Sequence, residues 1–152
     1  MEQAIKGKTV LVTGANRNTG FGIARAFAEA GAHVLVHARN LDKAQAAASK
    51  LGDSARPVAA DLSDEVAVAQ MFEGIADQVQ SLDALVNNAC HLGLGYSAVE
   101  TPLAFWDEVL AVNVRAAFQC CQCAARIMLR QESGGSIVNA GSNTAGRAGR
   151  KR

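Results

Sequence analysis

The sequence has few prolines, few aromatic residues and no long apolar run. Its 152 residues include two prolines, one tryptophan and one tyrosine, with 49% apolar and 19% charged residues. This composition is typical of a globular chain and excludes a disordered one. No apolar run reaches the roughly 18 to 20 residues of a membrane-spanning helix, and residues 1–6 lack the pattern of a secretory signal. We therefore expect one cytoplasmic domain that does not contact a membrane.

The sequence also has no large excess of charge of one sign, since it contains fifteen basic and fourteen acidic residues. Four of the basic residues lie in the last six positions, which leaves eleven basic against fourteen acidic residues over residues 1–146. A nucleic-acid-binding surface needs a basic patch or stripe. We therefore expect no nucleic acid among the partners.

The four cysteines do not form a recognisable metal motif. Cys120 and Cys123 have the C-x-x-C spacing of some zinc and redox sites, Cys121 lies between them, and Cys90 stands alone. A structural zinc site takes about four ligands, and no second Cys or His pair has suitable spacing. We interpret the cluster as small buried residues on a helix and predict no metal site.

Short runs rich in β-branched residues alternate with longer runs that have helical spacing. The predicted strands are residues 8–13, 33–37, 57–60, 82–86 and 136–140. The predicted helices are residues 20–30, 41–51, 64–79, with Ser63 as its cap, and about 103–131. Strands that are apolar on both faces and alternate with helices favour a parallel sheet covered on each side. The predicted fold class is α/β, a single doubly wound (Rossmann) domain over residues 1–152.

The first predicted strand leads into a glycine-rich turn, residues 13–22, which we call the glycine loop. Gly14, Gly20 and Gly22 would let the backbone turn tightly and approach a pyrophosphate at the N-terminus of the following helix. Any tight connection between a strand and a helix can also use glycine. The position of the loop, directly after the first strand, favours nucleotide binding.

Five signals then occur in a characteristic order along almost the whole chain. They are Thr13-Gly14 with Gly20-x-Gly22, Asp61-Leu62, Asn87-Asn88-Ala89, Asn113, and the strand of residues 137–142 that ends in Ser142. In this order they resemble the short-chain dehydrogenase/reductase family. The resemblance implies an oxidoreductase that transfers hydride between a nicotinamide cofactor and a small-molecule carbonyl or alcohol. Two departures are five residues between Gly14 and Gly20, where the family usually has three, and Cys90 in place of a usual glycine.

The resemblance implies a cofactor role for the matching positions. Asp61 and Leu62 would contact the adenine ring, and Asn88 and Ala89 would form the cofactor-side wall. A carboxylate at Asp61 would equally suit a helix cap, and both roles are compatible. The candidate cofactor residues of the glycine loop are Thr13, Gly14, Arg17, Gly20, Phe21 and Gly22.

The end of the second strand bears on the choice between NADP and NAD. An acidic residue there would bond the ribose 2′-hydroxyl of NAD and repel a 2′-phosphate. Here Ala38 takes that position and Arg39 follows it, with Arg17 as a second cation in the glycine loop. We predict NADP as the cofactor, with NAD as the alternative; both arginines could instead be solvated loop residues.

Two candidate catalytic residues follow from the resemblance, Asn113 and Ser142. Asn113 would help hold a water in a proton relay, although an asparagine on an apolar helix face could also simply bond backbone. Ser142 would polarise the substrate carbonyl or alcohol, although a serine at a strand end is often a turn residue. Asn143 and Thr144 add further polar groups on the same side.

The proton donor of the family is a tyrosine about thirteen residues after that serine, with a lysine four further on. That position lies past Arg152, and Tyr96 does not match the motif. We therefore interpret the sequence as the N-terminal part of a reductase. The alternatives are a nucleotide-binding module without turnover and a different Rossmann enzyme, such as a methyltransferase or an epimerase. The Asn-Asn-Ala run and Asn113 disfavour the latter.

The predicted helix 103–131 is apolar on more than one face. Such a helix is either deeply buried or part of a subunit interface. Family members commonly pair through this helix, so we expect a homodimer or homotetramer. Exposure caused by the absence of a covering segment is the competing explanation.

Overall fold

The structure is a computed structural model that describes residues 2–142, with side chains from residue 4 onward. Its strands are β1 (Thr9–Val12), β2 (His33–Ala38), β3 (Ala55–Ala59), β4 (Ala84–Asn87) and β5 (Ser136–Asn139). Its α-helices are α1 (Glu2–Ile5), α2 (Asn18–Glu29), α3 (Leu41–Ala48), α4 (Glu65–Gln78), α5 (Leu103–Leu110) and α6 (Ala117–Met128). A π-helical segment, Ala111–Ala116, joins the last two helices. All five predicted strands are present, and α1 was not predicted.

The five strands form one parallel sheet in the order β3-β2-β1-β4-β5. The chain builds outward from β1 through β2 to β3, then crosses to the other side of β1 for β4 and β5. The direction of winding therefore reverses between β1 and β4. In open α/β sheets, ligands bind outside the carboxyl ends of the strands at this reversal. The predicted doubly wound α/β fold is confirmed.

Alternate residues of the central strands face two separate apolar layers. Leu11 and Leu85 pack with α4 and α6, around Phe72 and Ile75. Val10, Val12, Val34 and Val36 face the opposite layer, which includes Ala24 and Ala47 of α2 and α3. Burial on both faces explains why these strands lack the polar alternation of a half-exposed sheet.

Asp83 ties β1 to β4 at the edge of the sheet opposite their carboxyl ends. Its carboxylate accepts hydrogen bonds from Lys8 Nζ at 2.8 Å, the Thr9 N–H at 2.9 Å and Ser81 Oγ at 3.0 Å. Burial raises the pKa of Asp83, but these donors outweigh it and hold the pKa below its ordinary value. This cluster therefore holds β1 and β4 together at the end of the sheet opposite the carboxyl ends, where ligands bind.

Two local predictions were wrong. The cap of α4 is Asp64, whose carboxylate accepts from the Val66 and Ala67 N–H groups, because a charged acceptor suits the positive end of the helix dipole better than the Ser63 hydroxyl. The predicted helix 103–131 is not one regular helix, since the i→i+5 turns of Ala111–Ala116 interrupt it and α6 ends at Met128. Within residues 2–142, no helix is both long and apolar enough to cross a membrane.

Candidate functional site

A cleft of about 700 Å³ opens at the carboxyl ends of β1 to β4. Eight of the predicted cofactor residues line it: Gly14, Arg17, Gly20, Arg39, Asp61, Leu62, Asn88 and Ala89. The other three, Thr13, Phe21 and Gly22, belong to the glycine loop but are not among the lining residues. Four separate connections of the chain thus meet where the fold predicts a ligand.

The glycine loop leads into the N-terminus of α2. Arg17 occupies the N-cap position with extended backbone and makes no side-chain cap hydrogen bond, and the first turn of α2 contains no acidic residue. The first N–H groups of a helix carry partial positive charge and lack partners within the helix. This end of α2 therefore suits an anionic group such as a phosphate.

Two glycines allow the loop to pack directly on the end of β4. Gly14 has a φ of +64°, and a Cβ atom there would lie 2.9 Å from the Cα of Ala89. At Gly20, a Cβ atom would overlap the carbonyl of Gly14 and the side-chain amide of Asn88. Side chains at either position would push the loop off β4, so glycine is required for this close approach.

Thr13 is buried and supports the wall of the cleft from behind. Its Oγ1 accepts hydrogen bonds from the N–H groups of Asn88, at 3.0 Å, and Ala89, at 3.1 Å. The Asn88 Nδ2 group in turn donates to the Thr13 carbonyl at 3.0 Å. The two side chains therefore fix the end of β1 to the end of β4.

His37 is a buried side chain in the lining for which the sequence analysis predicted no role. Its Nδ1 accepts from the Gly14 N–H at 3.0 Å, and its Nε2 lies 3.1 Å from the Ala60 carbonyl oxygen. Burial lowers the pKa of His37 to about 4, against smaller raising effects from the Ala60 bond and the Asp61 charge. The one available signal was a histidine at the end of an otherwise apolar strand, which needs polar partners when buried.

Charged groups gather on the side of the cleft formed by β2 and β3. Arg39 Nε lies 3.8 Å from Asp61 Oδ2, and both side chains are exposed. Asp61 also accepts from the N–H and the hydroxyl of Ser63, and these bonds, more than the nearby Arg39, hold its pKa below the ordinary value. Asp61 thus forms a local turn and does not cap α4. Lys43, which the sequence analysis missed, adds a third cation to the lining beside Arg39 and Arg17.

Asn113 lies in the π-helical segment and is exposed. Its Oδ1 accepts from the His91 N–H at 2.7 Å, and its Nδ2 donates to the His91 carbonyl at 2.8 Å. Its amide is satisfied on backbone and anchors the segment that follows β4.

Ser142 follows β5 at the same edge of the sheet and is exposed. Near it, the Asn87 Nδ2 group donates to Asn139 Oδ1 at 2.9 Å and lies 3.1 Å from Cys121 Sγ. These contacts join the ends of β4 and β5. Asn143 and Thr144 lie outside the described residues.

Cys120 and Cys123 pack in or against the apolar core, whereas Cys90 is exposed and lines the cleft. Cys120 is buried in the core, and burial raises the pKa of its thiol to about 12. Burial also raises the pKa of the half-buried Cys123. Among residues 2–142, no group of three His, Cys, Asp or Glu side chains is arranged to hold a metal ion.

A glycine loop that opens a helix at the winding reversal of a parallel sheet defines a dinucleotide-binding domain. The family model described as short chain dehydrogenase matches residues 8–151. The chain belongs to the short-chain dehydrogenase/reductase family, as the sequence resemblance implied. This family consists of oxidoreductases, which agrees with the chemistry expected of the site.

Individual relatives share both the sequence pattern and the fold. A sorbitol dehydrogenase of Cereibacter sphaeroides is 35% identical over 95% of this chain and 56% of its own length. A metagenomic short-chain oxidoreductase solved in complex with NADP has a TM-score of 0.82 and 33% identity, over 88% of this chain and 62% of its own. A 3-ketoacyl-(acyl-carrier-protein) reductase of Brucella melitensis, complexed with NADH, has a TM-score of 0.88 and 32% identity, over 94% of this chain and 60% of its own. The chain thus spans little more than half the length of these proteins.

Proposed function

We propose that the protein is an NADP(H)-dependent oxidoreductase that transfers hydride between the nicotinamide and a small carbonyl or alcohol substrate. Membership of the family supports a nicotinamide cofactor and oxidoreductase chemistry. The observation that carries the choice of NADP is the position of Arg39, which directly follows Ala38 at the end of β2 and lines the cleft.

The charge of the lining supports a 2′-phosphate on the ribose. No carboxylate occupies position 38, so nothing at that position would repel the phosphate. Arg39 supplies a planar donor group suited to phosphate, with Lys43 and Arg17 in the same lining. The exposed contact between Arg39 and Asp61 is of a kind that contributes little energy, so Arg39 can exchange it for a phosphate.

Asn113 and Ser142 are the proposed catalytic residues on this chain. Ser142 would donate a hydrogen bond to the reacting oxygen of the substrate and polarise it. Asn113 would organise the relay of protons while it holds the backbone of His91. The proposed proton donor of the whole protein is, on the family resemblance, a tyrosine about thirteen residues past Ser142.

We propose further that the protein acts in the cytoplasm as a homodimer or homotetramer. An exposed apolar stripe supports the assembly, because its residues recur about one turn apart along the segment from α5 to α6. The exposed fractions are 54% for Trp106, 38% for Leu110, 59% for Val114 and 67% for Phe118. A second copy of the same helix would cover this stripe.

The test is a fluorescence titration of the natural full-length protein with NADPH and NADH, followed by turnover with a panel of aldehydes, ketones and alcohols. We expect tighter binding of NADPH and its oxidation by at least one carbonyl compound. Binding without turnover would favour the nucleotide-binding module instead. Absence of binding by either nucleotide would overturn the proposed function.

A further inference from the structure

We infer that His37 is a positioning residue that holds the glycine loop in the conformation that receives the cofactor phosphates. The inference rests on the proposed function, because it assigns His37 a task in binding the proposed cofactor. His37 is 2% exposed and lies at the carboxyl end of β2, between the loop after β1 and the end of β3.

The hydrogen bonds of the ring define its protonation state. The Gly14 N–H is a donor, so the Nδ1 atom that it contacts at 3.0 Å must be an unprotonated acceptor. The ring proton then lies on Nε2 and is donated to the Ala60 carbonyl at 3.1 Å. A neutral His37 therefore links the connections that follow β1 and β3 across its own strand.

The peptide group between Thr13 and Gly14 is held from both sides. His37 accepts from its N–H, and Asn88 Nδ2 donates to its C=O at 3.0 Å. The next peptide is also held, since the Ala15 N–H donates to the His37 carbonyl at 2.8 Å. Both the side chain and the backbone of His37 thus bind the start of the glycine loop.

These bonds matter because glycine has the widest conformational freedom of any residue. Gly14 adopts a φ of +64°. Because Gly14 has no side chain, sterics do little to restrict the orientation of the peptide group that precedes it. A loop that is ordered before the ligand arrives loses less conformational entropy on binding. His37 therefore contributes to affinity because it orders the loop before the cofactor binds.

Burial leaves the His37 ring neutral at neutral pH, despite the charges around it. The charged groups that share the cleft lining with it are Asp61 beyond β3, Arg39 after β2, Lys43 on α3 and Arg17 in the glycine loop. Burial keeps the pKa of His37 near 4 despite the opposing effect of Asp61. The acceptor at Nδ1 is consequently available to Gly14 throughout the neutral range.

Two amide variants separate the two bonds of the ring. In His37→Asn the side-chain oxygen lies near the position of Nδ1 and can still accept a hydrogen bond from the Gly14 N–H. The shorter side chain cannot reach the Ala60 carbonyl, so that hydrogen bond is lost. In His37→Gln the longer amide can still donate to Ala60, whereas the acceptor for Gly14 is lost. Each variant removes one hydrogen bond of the ring, so the free energy of unfolding should fall by a similar amount in both.

The measurement is the Kd of NADPH for the natural full-length protein and both variants, with KM, kcat and the urea midpoint measured in parallel. We expect His37→Gln to weaken binding roughly tenfold and raise the KM of NADPH without lowering kcat, and His37→Asn to stay within about twofold of wild type. Equal losses in both variants, or losses that follow the urea midpoints, would overturn the positioning role. A wild-type protein that binds neither NADPH nor NADH would overturn the proposed function and the inference with it.

A second measurement does not depend on the folding of any variant. The ¹⁵N chemical shifts of the His37 ring in the wild-type protein distinguish an unprotonated Nδ1 from a protonated one. We expect an acceptor-type Nδ1 and a protonated Nε2 at pH 7. A proton on Nδ1 would contradict the bond from Gly14 and overturn the inference.

Discussion

Arg39 and Asp61 lie side by side on one wall of the cleft, with Arg39 Nε 3.8 Å from Asp61 Oδ2. The two residues follow neighbouring strands, β2 and β3, so the register of the sheet brings a cation and an anion to the same side of the site. The proposed 2′-phosphate and the Asp61 carboxylate therefore compete for the same guanidinium.

The first prediction concerns that guanidinium. Replacement of Arg39 by alanine should weaken NADPH binding roughly tenfold to a hundredfold, because a hydrogen bond to a charged group contributes about 1.5 to 3 kcal/mol. NADH lacks the 2′-phosphate, so its Kd should change by less than about threefold. Titration of both nucleotides, with the exposed Arg25→Ala variant on α2 as a control, checks this. An equal loss for NADH and NADPH would contradict a 2′-phosphate contact.

The second prediction concerns acid stability. The pKa of His37 is lowered from 6.5 to about 4 in the folded protein, so the unfolded chain binds more protons between these values. The contribution of His37 to the free energy of unfolding should therefore have its full value above pH 6.5. The free energy of unfolding should then fall by about 3 kcal/mol as the pH drops to 4.

Urea denaturation between pH 4 and 8 measures this loss. His37→Phe should remove most of the pH dependence between 4.5 and 6.5, whereas His33→Gln, exposed at the other end of β2, should keep it. The lowered pKa of Asp83 acts in a separate range, because the stability it contributes is lost only as the pH falls below its ordinary value of 3.8. A flat profile for the wild-type protein above pH 4.5 would contradict the buried neutral histidine.

The third prediction compares two glycines of the same helix. Gly20→Ala should lower the free energy of unfolding by roughly 2 kcal/mol or more, because its Cβ would overlap the Gly14 carbonyl and the Asn88 amide. At Gly22, a Cβ atom meets nothing within 4 Å, so Gly22→Ala should raise the free energy of unfolding by roughly 0.5 to 1 kcal/mol through helix propensity. Chemical denaturation of both variants tests the pair, and a neutral Gly20→Ala would contradict the close packing.

The fourth prediction concerns assembly. Phe118→Glu should shift the protein toward monomers, because a charge within an apolar interface loses its solvation on association. Leu129→Glu, which is 85% exposed just beyond α6, serves as the control and should leave the mass unchanged. Light scattering coupled to size-exclusion chromatography reads out both. A wild-type protein that is already monomeric would overturn the proposed assembly.

The sequence was sufficient to predict the parallel sheet and the location of the cleft. Strands such as β1 and β2 are apolar on both faces, and Gly14 and Gly20 mark the connection that must turn tightly. These properties are local, so they can be recognised without knowing which segments touch. The register of β2 against its neighbours is not local, and it places His37 beside Gly14 and Ala60.

The helix that contains Asn113 shows a second limit of local patterns. The predicted helix 103–131 assumed regular helical spacing, which the π-helical segment Ala111–Ala116 interrupts. Asn113 lies in this segment and makes two bonds to the His91 backbone, and composition does not reveal such contacts between distant parts of the chain. Lys43 was missed for a similar reason, since only the packing of α3 against the sheet brings it to the cleft.

The residues that line the cleft and Ser142 come from different parts of the chain. Among the described residues, every member of the cleft lining except Val112 comes from residues 14–92, whereas Ser142 follows β5 on the outer side of β4. On the proposed function, the residues that recognise the nucleotide therefore lie almost entirely in one continuous stretch of the chain. We therefore expect an exchange of residues 14–92 between relatives to transfer cofactor preference as a unit, with Ser142 left in place.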